Sequence, residues 1–101
     1  ARDVANGHAE RRRAVALDPQ LDRAWYGLGL VLIRQQRYDE AVAALKRNTE
    51  LQPMSPYGWY QLARVQVDRQ QPDEARKIIR HLKGFEPKVA DQLVRETGLD
   101  S

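Results

Sequence analysis

The sequence predicts an all-α chain, a superhelix of stacked antiparallel helix pairs with about six helices in all. Three observations carry that expectation. Pro19, Pro53 and Pro87 stand 34 residues apart. The run Trp25, Tyr26, Leu28, Gly29 returns 34 residues later as Trp59, Tyr60, Leu62, Ala63. Asp39-Glu40-Ala41 likewise returns as Asp73-Glu74-Ala75, and Leu51 with Pro53 returns as Phe85 with Pro87. A fixed period of this size marks a unit too thin to bury its apolar faces alone, which becomes stable by stacking on its neighbours.

Residues 1–17 read as one helix with a thin apolar side of Val4, Ala5, Ala9, Ala14, Val15 and Leu17. Gly7 weakens it by about 1 kcal/mol relative to alanine. Its end matches residues 48–53, so 1–19 reads as the second helix of a partial N-terminal repeat. Pro19 stops it, because the residue before a proline is pushed out of the α region. Asp22 is the expected N-cap of the next helix, which runs towards Gln36. Trp25, Leu28 and Leu32 form its apolar face, with Leu30, Val31 and Ile33 on a neighbouring stripe. Gly27 and Gly29 are costly in a helix interior, and one of them is expected to admit a second helix closely. After Gln35-Gln36-Arg37 that second helix spans Tyr38 to Leu51, with Ala41, Ala44, Leu45 and Asn48 at helical spacing. Asp39 and Glu40 fall in its first turn, where the helix dipole favours negative charge.

Ser55-Pro56 starts the following helix with a serine cap and a proline at the first helical position. Trp59, Leu62, Val65 and Val67 carry its apolar face towards Gln70. Gln71-Pro72-Asp73-Glu74 opens another helix in the same style, with Ala75, Ile78, Ile79 and Leu82 inward and Gly84 as its C-cap. Glu86-Pro87 opens a last, weaker helix bearing Val89, Leu93 and Val94, broken at Thr97-Gly98, and the tail from Leu99 is expected to fray. The expected organisation is one domain: 1–19 a partial repeat, 22–55 and 56–89 complete repeats, 87–101 a capping helix and tail.

Composition narrows the classes. Lys and Arg number 17 against 14 acidic residues, and a surplus of three does not argue for nucleic acid. No stretch approaches the roughly 18–20 continuous apolar residues that span a bilayer, so no membrane role is expected. Cysteine is absent, which excludes disulfides and thiolate metal sites and fits any compartment. The polar start shows no export segment, so the compartment is unknown, with the cytoplasm as default. The missing initiator methionine suggests a fragment or a processed chain.

On these residues the chain resembles the tetratricopeptide repeat family, built from 34-residue helix–turn–helix units. Trp25, Leu28, Gly29, Tyr38, Ala41, Leu45, Leu51 and Pro53 carry the likeness in one unit. Trp59, Leu62, Ala63, Ala75, Ile79, Phe85 and Pro87 carry it in the next. Bulky Trp25, Leu28, Trp59 and Leu62 need small residues opposite, which Ala41 and Ala75 provide. Three positions depart from the pattern. Asn48 stands where the family usually has alanine, and a buried amide without a partner would cost about 1–3 kcal/mol. Arg11 stands where a bulky apolar residue is expected, and Pro72 replaces the turn aromatic found at Tyr38.

The resemblance implies a non-catalytic protein–protein interaction or scaffold module that holds a peptide or partner protein in a concave groove lined by the first helix of each pair. Groove-facing positions map to Arg23, Tyr26, Leu30, Ile33 and Arg34, then to Tyr57, Tyr60, Arg64, Val67 and Asp68. Tyrosine gives contact area at low entropy cost, and guanidinium forks grip carboxylates. The competing reading is that Tyr26 and Tyr60 merely pack on neighbouring helices. Where some relatives capture a terminal carboxylate with Lys and Asn, this chain has Tyr26, Leu30, Tyr60 and Arg64, so that clamp is not reproduced. Leu30 and Ile33 on the inner face suit a partly apolar ligand or self-association, and Arg23 and Arg34 suit an acidic one. The rival to the groove is a structural segment of a longer array, or a homo-oligomer packed through its open ends.

Arg2 and Arg11-Arg12-Arg13 could touch phosphate, but a solvated face explains them better and nucleic acid is disfavoured. His8 and His81 lie on different helices without further residues at ligand spacing, so they read as surface residues and no metal or other cofactor is expected. Ser55 and Ser101 sit at a cap and a tail, no phosphate loop occurs, and the periodic acids read as helix starts. No enzymatic activity is expected.

Overall fold

The structure, a computed structural model, describes residues 21–99. Five helices occupy them: α1 Asp22–Arg34, α2 Tyr38–Leu51, α3 Pro56–Asp68, α4 Pro72–Lys83 and α5 Pro87–Thr97. No strand occurs among the described residues. The further helix expected over 1–17, with Arg2, the Arg11–Arg13 run, His8 and the partial repeat, lies outside them.

Each helix packs on the next in sequence, and two longer contacts join α1 to α3 and α3 to α5. The first helices of successive pairs therefore stand side by side. Leu32 and Leu45 of α1 and α2 are fully buried, as are Val65, Ile79 and Leu82 of α3 and α4, with Leu62 buried beside them. Ala90 and Leu93 bring α5 into the same core. Trp25 and Trp59 are half-buried and lean on that core, one in each pair.

Small residues set the helix spacing. A Cβ at position 29 would lie 2.7 Å from Leu45 Cγ, so Gly29 is the residue that lets α2 approach α1. Ala41 and Ala75 are fully buried, as facing positions for bulky neighbours require. Asn48 is buried too, and the feared desolvation does not arise, because its Nδ2 donates to the Asp22 carbonyl at 2.8 Å. Its Oδ1 points at Gly58, where a Cβ would sit only 2.0 Å away. One amide thus ties the start of α1, the end of α2 and the start of α3.

The helix ends differ in part from expectation. Leu21, not Asp22, is the N-cap of α1, and Asp22 is the first helical residue. Ser55 holds the N-cap position of α3 in an extended conformation, but its side chain makes no cap hydrogen bond. The starts of α3, α4 and α5 rest instead on Pro56, Pro72 and Pro87, which have no N–H to satisfy and a φ already suited to a helix.

At the C-termini, Gly84 caps α4 in a right-handed conformation, φ −75°, and uses none of glycine's freedom. Gly98 ends α5 in the left-handed region at φ 73°, and the left-handed residues other than glycine are Gln36 (φ 59°) and Gln70 (φ 60°), one after each first helix. Both close the same motif, which ends α1 and α3 two residues before Gln36 and Gln70. Gln36 N–H donates to the Ile33 carbonyl and Arg37 N–H to Leu32, each at 2.9 Å. Gln70 donates to Val67 at 2.9 Å and Gln71 to Gln66 at 2.8 Å. These paired bonds satisfy helix-end carbonyls in the manner of a Schellman turn.

Candidate functional site

The first turns of α1 and α3 gather four of the ten groove positions. Asp22, Arg23, Tyr26, Asn48, Ser55 and Tyr57 line a recess of about 290 Å³. Tyr26, Pro56, Tyr57, Tyr60, Gln61, Val89 and Gln92 line a second of about 240 Å³. The two adjoin at Tyr26 and Tyr57, so they form one furrow running from Arg23 across α3 to α5. Tyr57 stands 70% exposed at its centre. Tyr26 and Tyr60 are half-buried against the core while also lining the furrow, so packing and surface roles coexist in the same rings.

Tyr60 and Arg64 lie four apart on one face of α3 and meet Glu96 from the last turn of α5. The Tyr60 hydroxyl donates to Glu96 Oε1. Arg64 Nη1 donates to the same carboxylate oxygen at 2.7 Å and to the Tyr60 hydroxyl oxygen at 3.1 Å. Gln92 Nε2 donates to Glu96 Oε2 at 2.9 Å. The Arg64 guanidinium also lies 5.9 Å from the Tyr60 ring centre, within cation–π range. The hydroxyl of Tyr60 and then the amide of Gln92 hold the Glu96 carboxyl below the usual carboxylate range. That same bond to Glu96, helped by desolvation, raises the Tyr60 phenol above its ordinary value.

The remaining positions fall elsewhere along the two helices. Leu30, Ile33, Arg34, Val67 and Asp68 line neither recess. Ile33 is half-buried against the core. Leu30 and Val67 are half-buried, and Arg34 and Asp68 are exposed at the helix ends.

Several participants were not legible in the sequence. Glu96 and Gln92 reach α3 across more than thirty residues, outside the 34-residue register that exposes the repeat. His81, expected simply at the surface, is exposed yet lies between Trp59, tilted at 52° with ring centres 4.4 Å apart, and Phe85, edge-on at 5.2 Å. The Trp59 indole N–H donates to the Pro53 carbonyl at 2.9 Å, so this ring cluster binds the end of α4 to the loop before α3. Gln66 is buried and accepts from Arg69 Nη1 at 2.9 Å, while Arg69 pairs with Asp39 at 3.0 Å. A wider recess of about 440 Å³ beside that pair also holds Arg37 bonded to Glu40. Its cations and anions already face one another.

No cluster of His, Asp or Glu able to hold a metal ion occurs among the described residues. None of the described helices is long and apolar enough to cross a membrane. Comparison with known families then decides the kinship. Residues 7–82 match the model of the family described as anaphase-promoting complex, cyclosome, subunit 3, a repeat family of the tetratricopeptide type. The chain belongs to that family. This tetratricopeptide-type kinship agrees with the all-helical architecture and associates the chain with protein-interaction and scaffold modules, a generally non-catalytic class with protein partners. No curated protein matches the chain.

Proposed function

We propose that the chain is a non-catalytic module that holds an extended segment of a partner protein in the furrow between α1, α3 and α5. The observation that carries this reading is the adjoining of the two recesses at Tyr26 and Tyr57, with Tyr60 continuing the row. Three tyrosine rings along one furrow offer large contact area for few frozen torsions, and their hydroxyls can meet a peptide backbone. Arg23 stands exposed at one end and attracts acidic residues. Leu30, Ile33, Arg34, Val67 and Asp68 would extend the same face beyond the furrow.

The test uses peptides enriched from a random library against the full chain. Replacing Tyr26 and Tyr57 together by alanine is expected to weaken the enriched peptides at least about tenfold, as loss of a buried aromatic anchor does. Undiminished affinity with unchanged helicity by circular dichroism sinks the furrow as the binding site. The family's description as a subunit of a complex supports a second reading, a scaffold segment of a larger assembly. Sedimentation across a concentration range separates self-assembly, which raises the mass, from a monomer that binds peptides.

A further inference from the structure

We propose that Tyr60, Arg64 and Gln92 form a carboxylate-binding cradle whose resident occupant is the chain's own Glu96, and that an acidic group of the guest competes with it. This rests on the furrow reading above and adds the chemistry of the guest. Three donors from two helices converge on one carboxylate: two bonds reach Glu96 Oε1 and a third reaches Oε2. The arrangement is the one that recognises a carboxylate in a partner, a guanidinium assisted by neutral donors. Tyr60 and Gln92 also line the furrow, so a segment lying on Tyr26 and Tyr57 ends at the cradle.

Glu96 is a poorly held occupant. Its side chain and that of Arg64 remain 33% and 46% exposed, and ion pairs in such reach of water contribute little. It stands in the last turn of α5, where the helix dipole disfavours negative charge. The grip of α5 on the core comes from Ala90 and Leu93, both fully buried, so the Glu96 arm can swing out while the helix stays. Once it does, the Arg64 guanidinium, Tyr60 hydroxyl and Gln92 amide face the end of the furrow without their anion. Glu96 thereby sets the threshold that an acidic guest must exceed.

The experiment measures three short probes against the full chain by nuclear magnetic resonance. The first is Ala-Leu-Glu-Leu-Ala blocked at both ends. The second is the same peptide with Gln for Glu, and the third is the Gln peptide with a free C-terminal carboxylate. An internal competitor present about nine-tenths of the time lowers apparent affinity about tenfold, so Glu96→Ala is expected to bind the Glu probe about tenfold tighter than the wild type. The blocked Gln probe should gain nothing, and adding Arg64→Gln should erase the gain. A gain by the third probe assigns the site to a terminal carboxylate, and a gain by the first alone assigns it to an acidic side chain. Equal gains for the blocked Glu and Gln probes, no gain at all, or a gain that survives Arg64→Gln overturns the proposal. Glu96→Gln repeats the comparison with the helix surface kept in shape, and a smaller gain of the same kind is expected. Shifts at Tyr26 and Tyr57 with every probe, without a charge-dependent gain, leave the furrow and remove the cradle. A charge-dependent gain without those shifts does the reverse.

Discussion

Gly58 and Asn48 make a sharp test of how the two helix pairs are joined. A Cβ at position 58 would meet Asn48 Oδ1 at 2.0 Å, Asn48 Cγ at 3.2 Å and Thr49 Cγ2 at 3.2 Å. The Thr49 methyl can yield a few tenths of an ångström, but the amide cannot stay where it is. Gly58→Ala must therefore turn Asn48 away from the Asp22 carbonyl, breaking the 2.8 Å bond in a site where the side chain is 4% exposed. Losing that bond and stranding the amide costs about 2–3 kcal/mol. Alanine returns about 1 kcal/mol of helix propensity. The net loss is about 1–2 kcal/mol, a fall in melting temperature of roughly 4–16 °C for a domain of this size. In an Asn48→Ala background the obstruction is gone, and the same substitution should stabilise by up to about 1 kcal/mol. The two mutations are thus coupled by about 2–3 kcal/mol, read from a double-mutant cycle of chemical denaturation. If Gly58→Ala costs the same in both backgrounds, the contact does not hold the pairs together and the reasoning fails.

Two further expectations follow from the geometry. Gln36→Gly and Gln70→Gly relieve left-handed residues, each worth about 1–2 kcal/mol, against a glycine entropy cost of about 0.5–1 kcal/mol, so each should stabilise by about 0.5–1 kcal/mol in urea melts; a loss at either would mean the turn is held by the glutamine side chain. Glu96 has a depressed pKa, so its contribution is complete above the ordinary carboxylate range and is lost as pH falls through its lowered value. Tyr60 has a raised one, so its contribution is complete below the ordinary tyrosine value and is lost as pH rises through the raised value. The gap in melting temperature between wild type and Glu96→Gln should therefore be widest between those limits and close at both ends; parallel curves across the whole range would contradict it.

Much of the helical order was readable because it rests on local rules. The bounds of α2 follow from its acids, its apolar spacing and Pro53, and proline placed the starts of α3, α4 and α5. A close approach at Gly27 or Gly29 was legible because a glycine in a helix interior is costly, but the choice of Gly29 needed its 2.7 Å approach to Leu45. The cap of α1 was misplaced because aspartate suits both the cap and the first turn, and the backbone chose the latter. Gly84 caps α4 as its position suggested, but glycine permits a left-handed turn without requiring one, whereas Gln36 and Gln70 adopt it under the pull of two hydrogen bonds. Asn48 shows the limit most clearly. Its type announced a difficulty at the seam, but its partner is a backbone carbonyl 26 residues away that leaves no mark in the sequence. The furrow was half visible, as a row of tyrosines; the anion already lodged at its end was not.

The succession of contacts, each helix on the next with only short reaches beyond, has a mechanical meaning. Force applied along the described helices meets no lock spanning all five. Load drawn from the C-terminal side would first strip α5, releasing Ala90 and Leu93, and the remaining pairs would let go in turn, as a stack of plates is lifted from one side.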